Sequence, residues 1–118
     1  MSVSPRHSSE HALGYHRNRI AREAVVNTLA ALQDDLPSET DYLFYGPTNL
    51  DPAQLAVWYV FADPVALESA QDVGLWEKLR VRTRAALLAG GYEADAVSKL
   101  FIGFTSAEGL DPRLQYWR

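Results

Sequence analysis

From Arg17 onward the apolar residues Ile20, Val25, Leu29, Leu32 and Leu36 recur at intervals of five, four, three and four. That spacing draws a stripe down one face of a helix. Ala21, Ala24, Ala30 and Ala31 add helical propensity, and Pro37 stops the element near Leu36. The period then changes. Tyr42 to Tyr45 is a short aromatic run ended by Gly46-Pro47, and Gln54 to Phe61 is a longer run of aromatic and β-branched residues. Both read as strands. In the second, Leu55, Val57, Tyr59 and Phe61 fill one face and Ala56, Trp58, Val60 and Ala62 the other. A strand apolar on both sides belongs in the middle of a sheet or between two covered faces.

Asp63-Pro64 marks a helix start, an N-cap followed by proline at the first helical position. A short helix through Ala70 follows, with a break near Gly74. The next helix, Leu75 to Leu88, sets Leu75, Trp76, Leu79, Ala86 and Leu87 on its apolar side and ends at Gly90-Gly91. Tyr92 to Ala96 reads as a turn and Ser98 to Thr105 as a third strand. Residues 1–16, polar and broken by Pro5 and Gly14, read as a flexible N-terminal tail with at most one helical turn from Ser9, and residues 17–118 as a single α+β domain. The tail from Leu110 onward, with Gln115-Tyr116-Trp117, reads as a terminal edge strand or an irregular aromatic segment.

The element order is therefore α-β-β-α-β. The short link between the first two strands predicts an antiparallel hairpin. The helix then returns the chain, so that the third strand runs parallel to the second and is expected beside the first, antiparallel to it. The expectation is an α+β fold with a mostly antiparallel sheet of three or four strands and two helices packed on it.

Composition narrows the class without naming a chemistry. The chain has 118 residues, 47% of them hydrophobic, a formal net charge of −4 and no cysteine. The absence of cysteine excludes a disulfide framework and a thiolate zinc site, and it suits a reducing cytoplasm. The longest apolar run, Leu55 to Ala62, is eight residues, far short of a membrane span, and the polar N-terminus lacks a secretory signal core. The expected location is cytoplasmic, with no membrane partner. An acidic total disfavours nucleic acid and favours a basic protein partner.

Each candidate for chemistry has a plainer competitor. His7, His11 and His16 lie near Glu10 at helical spacing, but nothing nearby completes a metal site, so no metal and no cofactor are assigned. Ser106, in Thr105-Ser106-Ala107-Glu108-Gly109, fails the nucleophile-elbow pattern, and the stretch fits a capping box with Thr105 at the N-cap. The basic run Lys78, Arg80, Arg82 and Arg84 spreads over an outer helix face and reads as solvated. Tyr42, Phe44, Trp58 and Phe101 would form a base-stacking platform if they shared one open sheet face. A covered face makes them core, which is the preferred reading. No catalytic residue is assigned.

The segments VWYVFADP (57–64), LLAGGY (87–92) and FTSAEGL (104–110) resemble the layout of small bacterial immunity proteins encoded beside secreted toxins. The resemblance covers roughly 42–110. It implies a compact acidic α/β domain that plugs a toxin's active site, and it transfers no binding residue.

The expectation from the residues is a non-enzymatic protein-binding module, and the resemblance implies one of immunity or inhibitor type. Its contact surface would combine Asp34, Asp35, Glu39 and Asp41 with the aromatics Tyr45, Tyr116 and Trp117. The competing reading is a small enzyme or ligand-binding domain with a pocket between sheet and helix. Homo-oligomer formation through a sheet face or edge stays open.

Overall fold

The computed structural model describes residues 5–37, 39–45 and 51–107, with side chains from His16 onward and excepting Tyr45. The fold is α+β. Helix α1 (Pro5–Ala31) leads to strand β1 (Asp41–Tyr45), a 3₁₀ turn (Pro52–Gln54) and strand β2 (Ala56–Phe61). Helices α2 (Pro64–Asp72), α3 (Leu75–Ala89) and the single-turn α4 (Ala94–Val97) then lead to strand β3 (Phe101–Ser106).

Helix starts and stops follow local chemistry. Asp63 caps α2 by accepting a hydrogen bond from the Ala66 amide at 2.8 Å, with Pro64 at the first helical position. Asp51 does the same for the 3₁₀ turn, accepting from the Ala53 amide at 2.9 Å. Gly74, at φ +77, makes the left-handed break between α2 and α3 that a side chain would strain. The helix α1 includes residues 5–16 of the stretch read from sequence as a loose tail. Proline at the first turn is compatible with a helix, and an interior glycine such as Gly14 costs only about 1 kcal/mol. At the other end α1 stops at Ala31. Residues 32–36 continue as turns, with the Asp35 and Leu36 amides both bonded to the Leu32 carbonyl.

The sheet has three strands in the order β1-β2-β3 and is mixed. β1 pairs antiparallel with β2, placing Leu43 opposite Trp58, and β3 pairs parallel with β2, placing Trp58 opposite Gly103. This corrects the expected placement of β3 beside β1. That arrangement would have left β2 at an edge. The apolar pattern on both faces of β2 suits a central strand, and β3 takes its other side. Thr105 is also corrected: it lies in β3 opposite Val60, so it caps no helix. The ladder extends past it, with the Ala107 amide bonded to the Phe61 carbonyl at 2.8 Å.

One sheet face carries the main core. Val57, Tyr59 and Phe61 from β2 meet Ile20, Ala24 and Val25 from α1, Leu75, Leu79 and Leu87 from α3, and Ala96 and Val97 from α4. Tyr42, Phe44 and Phe104 pack against the edge of this cluster. The opposite face holds a smaller cluster of Leu43 and Val60, with Trp58 against it. There Trp58 tilts onto Phe101, ring centroids 5.0 Å apart. Gly103 lies beneath both rings: an added methyl would sit 2.5 Å from Phe101 and 2.8 Å from Trp58. The four aromatics weighed as a stacking platform are therefore split between two faces, because register puts Tyr42 and Phe44 on the helix side and Trp58 and Phe101 on the other.

Buried polar groups tie the layers together. The Thr83 hydroxyl donates to the Leu79 carbonyl at 2.6 Å, so the Tyr59 phenol, 2.6 Å away, donates to the Thr83 oxygen. Thr28 of α1 sits beside the same phenol and donates to the Ala24 carbonyl at 2.7 Å. Replacing Thr83 with the isosteric valine should destabilise by about 1–3 kcal/mol, because a buried phenol loses its acceptor. The Tyr59→Phe, Thr83→Val pair should recover part of that loss. Urea denaturation of the four-protein cycle measures the coupling, and additive single effects would show that the contact contributes nothing.

Candidate functional site

The acidic residues singled out from sequence fall on the connection from α1 to β1. Asp34 and Asp35 occupy the turns after α1, Glu39 lies in the next turn, and Asp41 opens β1; all four are exposed. The helix has already ended at Ala31, short of the stop expected near Leu36, and Thr40 bonds back to the Pro37 carbonyl through both its amide, at 3.2 Å, and its hydroxyl, at 2.9 Å. The Asp41 carboxylate accepts from the adjacent Tyr42 amide at 2.7 Å and so helps start the strand. Asp35 approaches Lys78 of α3 at 4.0 Å, with both side chains more than half exposed. Such a contact contributes well under 1 kcal/mol. Asp34 and Glu39 have no ion pair among the described residues. Tyr45 ends β1, its side chain outside the described set, and Tyr116 and Trp117 lie outside the described residues altogether.

Asp35 also belongs to a groove of about 500 Å³ between the end of α1 and the start of α3. Ala31 and Leu32 line one wall, Gly74, Glu77, Lys78, Val81 and Arg82 the other. The two helices run antiparallel here: Asp35 meets Lys78 at this end, and Ile20 meets Gly90 at the far end. The groove has apolar walls, a rim of both charge signs and a wide opening to solvent, with Val81 58% exposed.

The basic run on α3 is divided among separate contacts. Lys78 reaches Asp35, and Arg80 pairs with Glu77 at 3.7 Å while its guanidinium lies 5.1 Å from the centre of the Phe104 ring. Arg84 donates to the Val97 carbonyl at 3.4 Å. Arg82, at the groove, has no ion pair among the described residues. A chain of stacked rings continues from Phe104 to Trp76, centroids 4.7 Å apart, and the buried Trp76 indole Nε1 finds no hydrogen-bond acceptor among the described residues.

No group of three or more His, Cys, Asp or Glu side chains converges among the described residues, and His16 is exposed on α1. Two tyrosines are perturbed. Burial pushes the Tyr59 phenol up to about 12 against the lowering effect of its hydroxyl partners. Tyr92 is likewise pushed up to about 12, first by burial and then by the Glu93 carboxylate, with Arg17 opposing. Its hydroxyl donates to the Pro52 carbonyl at 2.6 Å, and Arg17 donates to the same Glu93 oxygen through Nε at 3.2 Å and a terminal nitrogen at 3.0 Å. Both phenols are hydrogen-bond donors inside the fold, and burial is the first cause of each shift.

Sequence reasoning missed the groove and the Thr83 hub. The groove's one apolar signal on α3 was Val81, interleaved with the basic run. Thr83 follows Leu79 by one helical turn on the buried face, where a hydroxyl can bond the carbonyl four residues back.

Comparison with protein-family models, with curated proteins and with solved structures finds no match.

Proposed function

We propose that this chain is a non-enzymatic protein-binding module, of the immunity or inhibitor kind, that presents the α1–β1 connection to a basic protein partner such as a toxin. The observation that carries this reading is that four carboxylates within eight residues, Asp34 to Asp41, all stand in solvent on one connection. Asp34 and Glu39 have no internal cation, so nothing within the described fold uses their charge. With a net charge of −4, the chain attracts a basic surface at long range and repels polyanions. The open shape of the groove also favours contact with a macromolecule over a small substrate, which needs most of its surface enclosed.

The test is calorimetry against the product of the adjacent gene. An Asp34→Asn, Asp35→Asn, Glu39→Gln variant keeps the Asp41 cap and removes three charges. It should bind roughly ten- to a hundredfold more weakly at low salt, mainly through slower association, with the difference shrinking as salt rises. No binding by the parent chain would remove the reading. Equal binding by both proteins would keep a partner but move its site elsewhere.

A further inference from the structure

We infer that the first turns of α1 form a binding site for a borderline divalent metal ion such as zinc, because the helix places His7, Glu10 and His11 together on one face. In a loose tail the spacing of these residues would fix no geometry. The structure makes the stretch helical from Pro5, and spacing then becomes position. At about 100° and 1.5 Å per residue, His7 and His11 lie about 40° apart around the axis and about 6 Å apart along it. Glu10 falls within the same arc of about 100°. Histidines four apart on one helix face are the arrangement by which a single helix supplies two imidazoles to one zinc ion.

Residue chemistry selects the ion. Imidazole nitrogen suits zinc, copper and nickel, whereas calcium and magnesium take oxygen ligands. With no cysteine in the chain, no thiolate competes for such an ion. One carboxylate brings the set to three ligand groups, the number at which zinc keeps a position open to water. The positive end of the helix dipole opposes a cation here by about 0.3–1 kcal/mol, and the anionic Glu10 on the same face counters it. The same register excludes His16: nine residues after His7, it stands on the opposite side of the helix. Among the described side chains no other group of three or more His, Cys, Asp or Glu converges, which leaves no rival site among them.

Calorimetric titration of the full chain with zinc chloride should show one saturable site per chain. His7→Ala and His11→Ala should each weaken it roughly tenfold or more, and Glu10→Gln by a smaller factor. His16→Ala should leave it unchanged. A further variant keeps the number of histidines: Ser9→His combined with His11→Ala sets the pair two residues apart, on opposite faces of the helix, and should bind as weakly as His11→Ala alone. The substituted positions all precede Ile20, the first core residue of α1 in the described set, so circular dichroism should show each variant folded. No saturable binding by the parent chain would overturn the inference. Full binding by the Ser9→His, His11→Ala protein would overturn it too, because the ion would then be held by histidines on a loose segment rather than by one helix face. Equal losses in His16→Ala and His11→Ala would do the same.

Discussion

Raising the pH from 10 to 12 should remove about 2 kcal/mol of stability through Tyr59 and a smaller, solvent-screened share through Tyr92. In the unfolded chain both phenols lose their protons near pH 10, whereas in the folded protein burial holds each up to about 12. Between those values the folded state binds more protons than the unfolded state, so unfolding becomes easier with every increment of pH. Below pH 10 both states are protonated and this contribution is fully present. Above about 12 both are ionised and the loss is complete. The two sites fail for the same chief reason, an anion forming where water is excluded. Ionisation also abolishes the donation from Tyr59 to Thr83 and from Tyr92 to the Pro52 carbonyl. Urea midpoints across this range measure the loss, and Tyr59→Phe should flatten more than half of it. A midpoint unchanged from pH 10 to 12 would show that neither phenol is held in a dry site.

Much of the secondary structure was legible because short-range chemistry decided it. The Asp63-Pro64 start, the Gly74 break and the Gly90-Gly91 stop all act within a turn, and all stand where the residues placed them. Sheet order was harder to read. The helical return makes β3 parallel to β2 whichever side it joins, so direction alone does not choose a neighbour. The available clue was the two-sided apolar pattern of β2, visible in Val57, Tyr59 and Phe61 on one face and Val60 on the other, which favours a central strand over an edge. The same alternation separated Tyr42 and Phe44 from Trp58 and Phe101, which no count of aromatics could do without the register. The exposure of Asp34 to Asp41 followed from a polar turn. The groove did not, because it depends on how two helices distant in sequence lie side by side. On α3 the groove is lined by Lys78 and Arg82 as well as Val81, which makes the helix look like a simple solvated face.

Truncating Phe61 to alanine should cost about 3–5 kcal/mol, a large share of the 5–15 kcal/mol that holds a domain of this size together. Phe61 is 0% exposed at the end of the central strand, on the side facing the helices. Its ring is enclosed in the core to which α1, α2 and α3 all contribute, and its backbone accepts from Ala107 just beyond β3, so the surroundings have little freedom to collapse into the space left behind. The loss therefore includes a cavity as well as the transfer energy of the ring. Phe101 is the internal comparison: it is the same residue type on the same sheet but 52% exposed on the opposite face, with Trp58 as its aromatic neighbour at 5.0 Å. Its ring leaves less contact behind, and Phe101→Ala should cost about 1 kcal/mol. Denaturant midpoints at constant slope give both values. Equal costs would mean that the two faces of β2 are equally buried, and the division into one helix-covered core and one lighter face would have to be abandoned. A ratio near three or more follows from a central strand whose two apolar faces do different jobs. One anchors the helices that carry the groove and the acidic connection, while the other closes the sheet behind them.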